Sequence, residues 1–205
     1  MAKKEFTGVN LSTPECILMY PVVFEAKHNE LKGKDEWSVT MLFDKATTDM
    51  AKLKAGMIQA AKNEFGADVD LKSLNLKRIQ DGDEPTATGK DRPAACKGMW
   101  VVKAATRLNA PGICGPKLDP RTGKLEKITD PSEIYSGVYA HVNVTIKAYK
   151  GPQGNGVTFY LDHVQKVRDG EALSGGPKSE DVFEALDLET EELTTESTEM
   201  DGLFN

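Results

Sequence analysis

The most constraining stretch of the chain runs from Val138 to Tyr149. Val138, Ala140, Val142, Val144, Ile146 and Ala148 alternate there with Tyr139, His141, Asn143, Thr145, Lys147 and Tyr149. Successive side chains of a strand point to opposite faces, so this period of two predicts a strand with one apolar face and one wet face. Such a strand belongs to an antiparallel sheet that covers a core on one side only. The Gly-rich turn Gly151-Pro-Gln-Gly-Asn-Gly156 follows, and Val157 to about Val167 reads as the hairpin partner.

Three more strands are legible upstream. Residues 16–26 form a β-rich run interrupted by Pro21, which has no N–H to donate and so marks a sheet edge or a bulge. In Trp37-Ser-Val-Thr-Met-Leu-Phe43, Trp37, Val39, Met41 and Phe43 share a face and read as core, with Ser38 and Thr40 opposite. The polar loop between these two runs carries Lys27, His28, Lys32 and Lys34, which makes a hairpin with a basic loop. Gly98 to Thr106 is again strand-like, and residues 107–130 read as a long Gly/Pro-rich basic connection.

The period changes once. Met50, Leu53, Met57, Ala61 and Phe65 recur at three- and four-residue spacing, with Thr47 or Thr48 as N-cap and Gly66 as terminator, so residues 48–65 form the single expected helix. Five strands and one helix with hairpin connections predict a mainly β fold, an OB-fold-type five-stranded Greek-key barrel with extended loops.

Charge divides the chain in two. From Gly170 to Asn205 there are eleven acidic residues and one lysine, Lys178, a net of −10, whereas residues 1–169 hold 25 basic and 21 acidic residues. The acidic stretch has too little apolar surface to offset the entropy of ordering. The expected organisation is therefore a folded domain over 1–169 and a disordered acidic tail over 170–205. No apolar run reaches the roughly 18 residues needed to span a bilayer and no signal peptide opens the chain, so a soluble cytoplasmic protein with no membrane partner is expected. Cys16, Cys96 and Cys114 form no CxxC pair and read as reduced thiols.

Catalytic signatures are missing: the chain has no GxSxG, Walker, GxGxxG or HExxH motif. Asp81, Asp83 and Glu84 in one loop, with Asp162 on a strand, could in principle hold Mg²⁺ for a nuclease, although carboxylates in a turn are usually just solvated. His28, His141 and His163 lack ligand spacing with any cysteine. No cofactor is expected. What the body does contain is aromatic and basic side chains interleaved on strands. Tyr139, Lys147 and Tyr149 share one wet face, Trp100 and Lys103 lie on another strand, Arg107 follows it, and Lys32 and Lys34 sit in the hairpin loop. Cations track phosphates and aromatic rings stack on bases, so this set predicts a binder of single-stranded DNA. Aromatics on strands are more often core; Trp100 fits either role.

The tail ends Met200-Asp-Gly-Leu-Phe-Asn205, and Asp201, Leu203 and Phe204 combine acid with apolar anchors that a basic-rimmed pocket on a partner would accept. The same polyanion, tethered to a basic groove, would compete with DNA at high effective concentration. A metal-dependent nuclease built on the loop of Asp81, Asp83 and Glu84, and an interaction module whose tail mimics nucleic acid, are the alternatives.

The chain resembles the single-stranded DNA-binding proteins of tailed bacteriophages. The resemblance is carried in order by Tyr20-Pro-Val-Val-Phe24, Trp37-Ser-Val-Thr-Met-Leu-Phe43, Arg78-Ile-Gln-Asp-Gly-Asp83, Pro111-Gly-Ile113, Asp130-Pro-Ser-Glu-Ile-Tyr-Ser-Gly137 and Val164-Gln-Lys-Val-Arg-Asp-Gly-Glu171. It covers most of residues 14–172. It implies an OB-fold, no catalysis, and coating of exposed strands in the bacterial host during phage replication, repair or recombination, with possible self-association on DNA. It also implies an acidic tail that recruits phage or host replication and recombination proteins through a terminal aromatic, here Phe204. Trp37 and Trp100 stand where the family pattern has tyrosine or another aromatic, and Asn205 follows the terminal aromatic.

Overall fold

The alternating run folds as a strand, with Ala140, Val142, Val144, Ile146 and Ala148 buried and the residues between them facing outward. The computed structural model describes residues 6–30, 33–152 and 154–173. In chain order its elements are β1 (Val9–Ser12), β2 (Cys16–Asn29), β3 (Lys34–Asp44), α1 (Ala51–Phe65), β4 (Ile79–Asp81), β5 (Met99–Thr106), β6 (Gly112–Leu118), β7 (Leu125–Lys127), β8 (Tyr139–Tyr149) and β9 (Gly156–Arg168). The architecture is mainly β with a single α-helix among the described residues. The tail residues Asp201, Leu203 and Phe204, and Lys32 of the hairpin, lie outside the described residues.

The strands join one sheet in the order β4-β5-β3-β2-β8-β9-β6-β7, with β1 against β8. All pairs are antiparallel except β6 with β9. The five strands with a strong local pattern are β2, β3, β5, β8 and β9. The sheet is larger than five strands because β1, β4, β6 and β7 complete it, and each is short or broken by glycine and proline. Two of them, β6 and β7, occupy the segment expected to be a long connection. Gly112, Gly115 and Pro116 hide the strand pattern there, and β6 is held by long-range pairing of Gly112 to His163 and Ile113 to Val164. Although four steps apart in the hydrogen-bonded order, β5 and β9 come into contact, so the sheet curls round its core.

Pro21 does mark a bulge. The β2–β3 register slips between Met19 and Val22, and Tyr20 takes a left-handed φ of 51°. Beyond the bulge the two strands continue as a long hairpin, pairing Lys27 with Glu36, His28 with Asp35 and Asn29 with Lys34. Lys27 and His28 therefore sit on β2, and Lys34 on β3, rather than in the loop, because backbone pairing carries the strands past the apolar residues that signalled them.

Helix α1 packs Leu53, Met57, Ala60 and Ala61 into the core beside Val144, Ile146 and Phe159. It starts later than expected. Neither Thr47 nor Thr48 caps it; the Asp49 carboxylate accepts the Ala51 N–H at 2.8 Å. Gly66 ends it at φ 99°, its N–H donating to the Lys62 carbonyl. Of the two aromatics read as core on β3, Phe43 is wholly buried, while Trp37 is half-buried and donates its indole N–H to the Phe24 carbonyl at 3.4 Å. All three cysteines are free thiols. Cys16 is buried and donates to the Ala140 carbonyl, and burial pushes its thiol far up from the ordinary value.

Candidate nucleic-acid interface

Strand β5 alternates Val102, Ala104 and Thr106 toward the core with Lys103 and Ala105 toward solvent, and Arg107 continues the outward face. On the opposite bank, the outward face of β8 ends in Tyr149 and that of β9 presents Thr158 and Tyr160. Since β5 and β9 approach without hydrogen bonding, a groove of about 520 Å³ opens between them. Lys103, Arg107, Arg78, Tyr149 and Tyr160 line it, and Glu36 lies at its base.

The polar groups of the groove are fixed by one another. Arg78, just before β4, donates Nε–H to the Val157 carbonyl at 2.7 Å and an Nη2–H to the Tyr149 hydroxyl at 3.0 Å. Its guanidinium carbon lies 5.7 Å from the Tyr149 ring centroid, within cation–π reach. Glu36 is only 4% exposed, with Arg107 Nε 3.6 Å away and the Asn29 amide donating at 2.6 Å. One carboxylate thus faces three cations, which leaves an excess of positive charge for a polyanion.

The groove continues at both ends. A smaller depression shares Glu36 and Lys103 with it and extends along the β2–β3 hairpin to Lys27 and His28. A larger one, about 770 Å³, shares Thr106, Leu108 and Tyr160 and contains Lys147 and His163. Together they make a basic, aromatic track from the hairpin across β5 to the outer face of β8 and β9. A track able to follow a phosphate backbone and offer ring faces to bases has the two ingredients of single-strand recognition.

The fold brings together Lys103, Arg107 and Tyr149, with Lys147 two residues before Tyr149 on the same face of β8. Lys34 sits exposed at the far end of the β2–β3 hairpin. Tyr139 is at the opposite end of β8 from Tyr149, about 33 Å away at roughly 3.3 Å per residue, and the Arg168 guanidinium covers its ring at 3.3 Å. Trp100 is on the other face of β5 from Lys103. It packs against the core with the ammoniums of Lys45 and Lys54 at 5.0 and 5.8 Å from its ring, away from the groove. Trp100 and Lys103 are three positions apart, an odd step along a strand, so strand periodicity could have told them apart. The same periodicity in Val157, Phe159 and Leu161, all buried, exposes Tyr160, which sequence reasoning passed over. Arg78 had no local signal, since only the fold carries it to Tyr149.

Two of the three loop carboxylates considered for Mg²⁺ are committed elsewhere. Asp81 and Asp83 both accept from the Lys45 ammonium, Asp81 also accepts the Asp83 N–H at 2.8 Å, and Asp83 accepts the Gly98 N–H at 2.9 Å. The Lys45 hydrogen bonds hold both carboxyls below the ordinary aspartate value. No group of three histidine, cysteine or carboxylate side chains among the described residues is placed to hold a metal. Nor is any helix of the described residues long and apolar enough to cross a membrane.

Comparison with known proteins gives a consistent picture. The sequence profile described as "Enterobacter phage Enc34, ssDNA-binding protein" matches residues 9–194. A protein called p50, from Acyrthosiphon pisum secondary endosymbiont phage 1, is 25% identical over 185 residues, covering 85% of this chain and 92% of its own. The fold is similar to that of the single-stranded DNA-binding protein from bacteriophage Enc34 in complex with ssDNA, with a TM-score of 0.62 and 23% identity. That likeness covers 84% of this chain and 97% of the other. A C-terminally truncated form of the same phage protein superposes with a TM-score of 0.60 at 24% identity, over 83% and 95% of the two chains.

Proposed function

This chain belongs to the family of the Enterobacter phage Enc34 ssDNA-binding protein, and we propose that it binds single-stranded DNA along the groove between β5 and β9, without catalysis. The observation that carries this is the convergence of Lys103, Arg107, Arg78 and Tyr149, drawn from three separate parts of the chain, on one open groove. Lys147 and the hairpin residues Lys27 and Lys34 extend the cationic path at either end. Phosphates track the cations while bases meet Tyr149 and Tyr160, a mode that tolerates most sequences.

Coating of exposed strands during phage DNA replication, repair and recombination, in the cytoplasm of the bacterial host, follows from that activity. The acidic stretch expected over 170–205 acts as a tail that recruits replication proteins through Asp201, Leu203 and Phe204 and competes with DNA for the groove. Its charge of −10 beside a net basic body supports the competition. The folded body extends slightly past Asp169. Gly170 donates its N–H to the Tyr135 hydroxyl and Leu173 donates to the Ser136 carbonyl, so a tail deletion is best made after Leu173.

Fluorescence anisotropy of a labelled single strand and the matched duplex, at two salt concentrations, tests the proposal with the full chain and with the deletion. Salt-sensitive binding to the single strand that tightens on deletion is expected. No binding by either protein would overturn the groove as a DNA track, and equal affinities would remove the tail from competition.

A further inference from the structure

The larger end of the track contains a carboxylate that a purely phosphate-following groove would not want. On β9 the side chains alternate to Tyr160 outward and Leu161 inward, but then both Asp162 and His163 face out before Val164 turns in. Asn143 pairs with His163 and Val144 with Leu161, so Asp162 is the extra residue of a β-bulge. Bulges re-aim a side chain at the cost of a ladder position, and this one brings an acid onto the groove face.

Asp162 is held in a polar floor made by three strands. Its Oδ2 accepts from the Thr145 hydroxyl at 2.6 Å and from the Asn10 amide at 3.0 Å. Asn10 and Asn143 exchange amide hydrogen bonds at 3.1 Å. No basic side chain among the described residues forms an ion pair with Asp162, unlike Glu36 beside Arg107. Above this floor the same cavity of about 770 Å³ is lined by Tyr160 and by Phe6 and Leu108, which are 65% and 82% exposed. An uncompensated carboxylate repels a phosphate but accepts hydrogen bonds from an exocyclic amine. Apolar and aromatic surface beside it suits a flat ring.

We infer that this cavity is a base-reading subsite, in which Asp162 accepts a hydrogen bond from the amino group of cytosine or adenine while the base lies against Tyr160 and Phe6. The inference rests on the single-strand reading above and adds a preference to it. Thymine presents a carbonyl oxygen where cytosine presents its amine, so the carboxylate disfavours it. Lys147, on the same face of β8 two residues beyond Thr145, is placed for the adjoining phosphate.

The test is anisotropy titration of the full-length protein with labelled oligo(dC) and oligo(dT) of equal length, near neutral pH and at fixed salt. The unmodified protein binds oligo(dC) about fivefold more tightly, the net worth of one ordinary hydrogen bond in an open site. Asp162→Asn keeps an acceptor for Thr145 and Asn10, and it narrows that ratio toward one, mainly by improving oligo(dT). Equal binding of the two oligomers by the unmodified protein overturns the subsite while leaving single-strand binding in place. A cytosine preference unchanged in Asp162→Asn also overturns it. Failure to bind either oligomer overturns both readings.

Discussion

Removing the Tyr149 ring or only its hydroxyl separates two contributions to the groove. The hydroxyl accepts one hydrogen bond from Arg78 at 3.0 Å and helps aim that guanidinium into the groove. Tyr149→Phe keeps the ring and deletes this bond. A net hydrogen bond contributes about 0.5–1.5 kcal/mol, so if the aim of Arg78 is fully lost, affinity for a single strand falls about 2- to 12-fold. Tyr149→Ala removes the ring as well, and a base stack contributes a further 1–3 kcal/mol or so. The alanine variant should therefore bind at least about fivefold more weakly than the phenylalanine variant. Anisotropy titration at one salt concentration measures both, with circular dichroism and a thermal melt to establish that each variant folds, since the ring is half-buried. Wild-type affinity in both variants would refute the groove as the DNA track. Equal losses in the two would assign the whole effect to Arg78 and none to stacking.

Other consequences of the structure are open to direct measurement. Lys103→Gln should lower affinity across sequences and reduce the slope of log K against log salt by about 0.7, the value for one phosphate contact on a single strand; an unchanged slope would place Lys103 off the backbone path. Gly137 has φ 121°, and an added Cβ would lie 1.9 Å from the Glu171 carbonyl oxygen. Gly137→Ala combines backbone strain with a clash against main chain and should destabilise the fold by about 2 kcal/mol or more in a denaturant titration, whereas a neutral result would mean that residues 170–173 are not tied to the body. The Lys45 hydrogen bonds depress the folded-state pKa of Asp81 and Asp83, so the unfolded chain binds more protons just below the ordinary value of 3.8. Their contribution to stability is complete above that value and is lost as pH falls through the lower folded pKa values. Lys45→Met should flatten this acid limb of a melting-temperature profile, and parallel limbs in the two proteins would count against it.

Local pattern alone was enough for the five long strands and the helix, because burial against a core imposes a period on the residues of each element. It told β8 apart from any helix and placed Lys147 and Tyr149 on the wet face. It also marked the bulge at Pro21, since proline cannot serve the ladder. The short strands were illegible for the converse reason. Gly112 to Leu118 has little periodicity, and its strand character comes from β9, which lies far along the chain. The same holds for the length of the β2–β3 hairpin, where cross-strand pairing carries Lys27 and His28 beyond the apolar run.

The chain by itself therefore determined the class of fold, the division into a basic body and an acidic end, and the kinds of side chain available for a single strand. Only the tertiary structure decided which of them lie together. Curling the sheet brings β5 against β9, and that approach joins Lys103 and Arg107 to Tyr149 and Tyr160. It carries Arg78 to the Tyr149 hydroxyl, seats Glu36 beneath Arg107, and leaves Trp100 and Tyr139 elsewhere, packed against core or covered by Arg168. Periodicity reports which way a side chain points from its own strand. Which distant strand it then meets depends on sheet order, register and bulges, and these arise from long-range pairing that no local stretch of sequence contains.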